Sequence, residues 1–247
     1  MLRVWPGARR TAAAPGDDAS DVLDPLGELV TFLVPGGEVW GDLALPTNSL
    51  GTVVFAHGSG SGRTSPRNRW VATELADAGI ATLLLDLLTP TEAEVDRSTR
   101  RFRFDIPRLS ERLIAVADAL ARRTGTGGKP IGLYGASTGG AAALMAAAAR
   151  PSTIRALVLR GARSDLAGPA VHRVTAPTLF LVGELDPAIQ EVNRSTFDAM
   201  RSEKRLEVVR GASHLFEEPG TLEEVARHTR EWFQKYFLSP SGRRGGT

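Results

Sequence analysis

The chain is predicted to fold as an α/β protein: a mostly parallel sheet of about eight strands, opened by an antiparallel hairpin, with helices on both faces. Two observations carry that expectation. Short apolar runs alternate with stretches of helical periodicity, the pattern of strands joined by helical crossovers. Ahead of them, two β-rich runs flank Gly36-Gly37, as in a hairpin.

The elements follow in order. "ELVTFLV" (Glu28 to Val34) and "VWGDLAL" (Val39 to Leu45) form the hairpin, and "GTVVFAH" (Gly51 to His57) is a buried strand. "RWVATELADAG" reads as a helix stopped by Gly79, and "IATLLLDLL" (Ile80 to Leu88) as the next strand. The segment from Thr89 to Pro107 reads as a long, charged, solvated loop, placed where it could fold over a site. Leu109, Leu113, Val116, Ala117 and Leu120 recur at helical spacing. A strand and helix occupy "IGLYGASTGGAAALMAAAAR" (Ile131 to Arg150), and strands "IRALVLR" and "PTLFLVG" follow. A helix from Pro187 to Met200, a strand "RLEVVR" and a final helix complete the series. Thr221 and Glu224 have the spacing of a capping box for that last helix. No linker divides the series, so one domain is expected over 25–238, after a disordered leader (1–24) and before a flexible tail (239–247).

Composition narrows the function. The 247 residues include no cysteine, which excludes thiolate nucleophiles, thiolate metal sites and disulfides. A formal net charge of +2 gives no reason to expect nucleic acid, and no apolar run is long enough to span a membrane. The leader lacks the apolar core of a secretory signal, so a cytoplasmic location is expected. The glycine-rich stretch "HGSGSGRT" has His57 and Arg63 where a phosphate-binding loop needs glycine and lysine, so nucleotide binding is not expected.

Chemistry enters at Gly135-Ala136-Ser137-Thr138-Gly139. Gly-x-Ser-x-Gly between a strand and a helix is a turn that lifts the serine hydroxyl above the sheet edge. A serine needs a base and a group that orients the base. Among four histidines, His214 lies past the last strand and before the last helix. His228 sits within a helix, His172 lies between elements, and His57 precedes the serine in a glycine-rich loop. Asp186 follows the strand ending at Gly183, although Asp before Pro187 also reads as a helix N-cap; Glu184 and Asp165 are the fallback acids. The order Ser137, Asp186, His214 is that of a Ser-acid-His triad, each residue following its own strand. For the oxyanion, Thr138 N–H is one expected donor and the backbone of Ser59, or of Gly60, the other. Arg63, Arg67, Arg160 and Arg163 gather at strand ends and are candidates for holding a substrate carboxylate. Asp86 reads as structural.

Together, "FAHGSGSGRTSPRNRWVA", "LLLDLLT", "RFDI", "LYGASTGGAAAL", "APTLFLVGELD" and "GASHLFEEPGTLEEVA" resemble the α/β-hydrolases of the dienelactone-hydrolase-like branch. The resemblance covers about Glu28 to Leu238 and implies the same three residues. It departs from dienelactone hydrolase proper, whose nucleophile is cysteine. Relatives of this branch also occur fused to a phosphoribosyltransferase domain, for which this chain has no room. Gly161 to Ala176 is too short for a folded cap, so an open site is expected.

The function expected is hydrolysis of small carboxylic esters or lactones, anionic ones included, through an acyl-enzyme on Ser137 and without cofactor or metal. Acyl transfer or thioester hydrolysis by the same residues is the alternative within enzymes. A hydrolase fold kept for binding, with little turnover, is the alternative outside them.

Overall fold

The computed structural model describes residues 27–239. The expected leader over 1–24, and the tail beyond Ser239, lie outside them. Eight strands form one sheet in the order β1-β2-β4-β3-β5-β6-β7-β8. These are β1 (Glu28–Val34), β2 (Gly37–Ala44), β3 (Thr52–Ala56), β4 (Ala81–Leu85), β5 (Ile131–Ala136), β6 (Ile154–Arg160), β7 (Thr178–Gly183) and β8 (Lys204–Val209). β1 and β2 pair antiparallel, as do β2 and β4, and every pairing from β4 across to β8 is parallel.

The helices are α1 (Pro66–Asp77), α2 (Pro90–Thr99), α3 (Ile106–Leu120), α4 (Thr138–Ala149), α5 (Pro187–Ala199) and α6 (Thr221–Leu238). β3, β4, β5 and β7 are buried at every residue, which explains their unbroken apolar runs. One core, including Leu113, Val116 and Leu144, lies under α3 and α4. The other, including Val71, Leu75, Val225 and Phe233, lies under α1 and α6. Order reverses around β3, whose neighbours are β4 on one side and β5 on the other. Such a switch point opens a crevice beyond the strands' carboxyl ends, where ligands bind in open α/β sheets.

Three local expectations change. The segment from Thr89 to Pro107 is not a solvated loop but contains α2, whose capping box joins Thr89 Oγ1 to Glu92 N–H and Glu92 Oε2 to Thr89 N–H. The apolar run to Leu88 leaves the sheet after Leu85: Asp86 N–H still bonds to Trp40 O of β2, but Leu87 N–H turns to His57 Nε2. At α6 the expected capping box does not form: Gly220 is the N-cap, with φ of 83°, and Thr221 Oγ1 donates backwards to Glu218 O. Between β6 and β7 the chain makes 3₁₀ turns over Ser164–Arg173, bent at Gly168.

Candidate active site

Ser137 stands between β5 and α4 with φ of 49° and ψ of −121°. A non-glycine residue there costs on the order of 1–3 kcal/mol, and such strain collects at functional sites. The surroundings hold it: Ser137 N–H donates to Arg160 O, and Ser137 O accepts from Gly140 and Arg163 N–H. The flanking glycines are required by contact. A Cβ on Gly135 would lie 2.5 Å from Gly140 Cα, and one on Gly139 would lie 2.2 Å from Ala56 O. Ser137 is the N-cap of α4, yet its hydroxyl makes no cap hydrogen bond.

Asp186 repeats that pattern at α5. It occupies the N-cap before Pro187 without a side-chain cap bond. Its Oδ2 instead meets His214 Nδ1 at 2.6 Å, so the carboxylate is positioned to fix the imidazole's orientation and tautomer. Gly161, with φ of 51°, leaves space beside this ring; a Cβ there would come within 3.4 Å of His214 Cε1. The fallback acids are engaged elsewhere: Glu184 accepts Gly211 N–H, and Asp165 pairs with Arg163.

Ser137 and His214 line one pocket of about 250 Å³. No hydrogen bond joins Ser137 Oγ to His214 among the described residues. Such contacts are often long before substrate arrives. Gly58 packs on the serine, where an added Cβ would lie 3.1 Å from Ser137 Cβ, so the loop that carries Ser59 lies directly against Ser137. Thr138 opens α4, where the helix dipole favours negative charge.

His57 shapes this loop. Its Nδ1–H donates to Gly58 O at 2.9 Å, and its Nε2 accepts Leu87 N–H at 3.0 Å. Burial drives its pKa below the ordinary histidine range, against the opposing pull of the Gly58 carbonyl and Asp86. The ring is thereby kept neutral in one tautomer, with both nitrogens occupied. His172 lies in the 3₁₀ turns and His228 is buried on α6, its Nε2 facing Arg227 and Glu224.

The four arginines separate. Arg67 and Arg160 line the pocket of Ser137. Arg63 is a correction: it is committed to Asp42 and Asp86, holding the loop to the sheet. Arg163 is a second correction, since its guanidinium is joined to Asp165 outside that pocket. The pocket also includes Ser65 and Asn68, which the sequence reading did not select. Asn68 is 2% exposed at the start of α1, and its position two residues after Pro66 was the available signal.

With a serine at a strained strand–helix turn, an Asp–His pair and an eight-stranded sheet in view, the class is defined: residues 49–233 match the alpha/beta hydrolase domain family, to which the chain belongs. Within it the chain is dienelactone-hydrolase-like. It is 48% identical to a dienelactone hydrolase from Anabaena variabilis, with a TM-score of 0.83, covering 85% of this chain and 97% of that one. Est1E from Butyrivibrio proteoclasticus shares the fold at 17% identity and a TM-score of 0.70, covering 85% and 99%. A Mycobacterium tuberculosis H37Rv protein bearing the name "Putative phosphoribosyl transferase" is 49% identical over 82% of this chain. The chain spans only 45% of that relative's length.

Proposed function

We propose that the protein is a serine-dependent hydrolase of small carboxylic esters or lactones, anionic ones included. Ser137 Oγ attacks the ester carbonyl while His214 Nε2 takes its proton, and Asp186 stabilises the imidazolium. Thr138 N–H and Ser59 N–H receive the oxyanion, each donor contributing about 3 kcal/mol in the transition state. As the alkoxy C–O bond breaks, His214 returns the proton to the leaving oxygen. Water then attacks the acyl-enzyme, giving up a proton to His214, and the acid is released with Ser137 restored. A lactone follows the same steps with its leaving oxygen still tethered to the acyl group.

The observation that carries this reading is a strained serine whose hydroxyl is withheld from capping, in one pocket with a histidine bound to Asp186 at 2.6 Å. The dienelactone hydrolase relative supports it; the transferase name belongs to a protein more than twice the length of the matched region.

A fluorophosphonate probe tests it directly. Mass spectrometry should locate the adduct on Ser137, with labelling absent in Ser137→Ala and slowed in His214→Ala. Folded protein that resists the probe, and turns over no simple ester, would overturn the proposal in favour of a binding role.

A further inference from the structure

Arg160 ends β6 and is 7% exposed. Its Nη2 donates to Asn68 Oδ1 at 3.4 Å, while its Nη1 is buried with no hydrogen-bond partner. Among the described residues no acidic side chain pairs with it. Burial works against its charge; the Tyr134 hydroxyl and the Phe216 ring, 5.8 Å away, favour it, and Arg67, a like charge joined to Glu217 Oε1 at 2.8 Å, opposes it. A guanidinium removed from water without a carboxylate is costly to keep, because one long hydrogen bond and a ring contact offset its charge only in part and leave Nη1 unpaired. It forms part of the wall of the 250 Å³ pocket that holds Ser137 and His214.

Two pockets adjoin the elbow, and they differ in chemistry. The first has Arg160, Arg67, Asn68 and Ser65 beside His214. The second, of about 170 Å³, contains Thr138 and the 57–61 loop with Leu88, Ala93 and Leu109, and His214 is not among its walls. Asp96, Arg97 and Arg103 also border it, with Arg103 Nε held on Asp96 Oδ2. If His214 delivers the proton to the leaving oxygen, the leaving group must lie on the His214 side.

We propose that the leaving half of the substrate carries an anionic oxyacid group, a carboxylate or a phosphate, received by Arg160 with Arg67 beside it, and that the acyl half is small and uncharged and occupies the second pocket. This rests on the serine hydrolase reading above and adds to it which half of the substrate bears the charge. Hydrolysis then yields a neutral-chain acid and an anion-bearing alcohol or phenol; from a lactone, the two are one hydroxy acid. A planar guanidinium with an open N–H suits either oxyacid.

Four esters decide the matter, each rate taken relative to hydroxide-catalysed hydrolysis: phenyl acetate, 4-acetoxybenzoate, 4-acetoxyphenyl phosphate and monophenyl succinate. The expected result is a kcat/KM at least about tenfold higher for one or both of the acetates with an anionic leaving group than for phenyl acetate. Monophenyl succinate, charged on its acyl half, should gain nothing. Arg160→Gln should lower kcat/KM for the anionic acetates more than for phenyl acetate, closing the ratio, and Arg160→Lys should restore part of it. Should neither variant fold, the wild type still answers: 4-hydroxybenzoate or 4-hydroxyphenyl phosphate should slow fluorophosphonate labelling of Ser137 where phenol does not. Brisk phenyl acetate turnover with no preference for either anionic acetate, or a preference for monophenyl succinate, overturns this proposal alone. No labelling and no turnover of any ester overturn the hydrolase reading with it.

Discussion

Asp186 serves two roles that the sequence could not separate. Its backbone starts α5 ahead of Pro187, and its carboxylate goes to His214 rather than to the helix. The two roles part on substitution. The side chain makes no cap bond to α5, and Asn matches Asp in size and in N-cap backbone preference, so Asp186→Asn should leave the melting temperature nearly unchanged. The Asn amide would donate to His214 Nδ1, forcing the proton onto Nε2, where it blocks acceptance of the serine proton. Ester turnover should fall by about 10³–10⁴-fold, with labelling of Ser137 slowed in parallel. Steady-state rates and a thermal melt on the same preparation check this. Activity within tenfold of wild type would move the acid role to another residue, although Glu184 and Asp165 are both engaged elsewhere. Ser137 and His214 could be singled out as candidates because each follows its own strand. The arginines were less so, because a sequence places charges at strand ends without showing which carboxylate claims them, as Asp42 claims Arg63.

Among the elements, α2 shows most clearly where sequence reading fails. Thr89-Pro90-Thr91-Glu92 contains the capping box, but the apolar periodicity behind it is thin, and Val95 is exposed. What holds α2 is charge. Glu92 takes Arg112 Nη2 at 2.6 Å and Arg108 Nη1 at 2.8 Å, and Arg112, on α3, is fully buried and also donates to Leu87 O. In sequence, such charges are indistinguishable from a solvated face until the partner helix is known. Removing one partner of a buried pair strands the other. Glu92→Gln should therefore destabilise the protein by about 3–5 kcal/mol, measured as a shift in the urea midpoint. Glu92→Leu combined with Arg112→Met, which removes both charges, should lie closer to wild type than the single change. A single variant within about 1 kcal/mol of wild type would mean that α2 is held by something other than this pair.

Across the whole molecule, stability and chemistry are graded along the same sheet. Strand number, the hairpin and the parallel remainder were legible from apolar runs and their punctuation, because central strands are covered on both faces and are built mainly of apolar residues. Strand order was not, since it depends on which helices share a face. In that order β5 is central and buried throughout, whereas β8 is an edge strand, partly exposed along most of its length and paired only with β7. Ser137 follows the first and His214 the second. Segments with fewer buried contacts open with smaller free energies. Native-state hydrogen exchange should therefore show the bonded amides of β8 exchanging faster than those of β5 by on the order of a hundredfold or more. His214 would then be carried by a part of the sheet that opens while the elbow stays closed, and local opening would part His214 from Ser137 without exposing β5. Equal protection in the two strands would instead mean that the sheet opens only as a unit, and that His214 is held as firmly as Ser137.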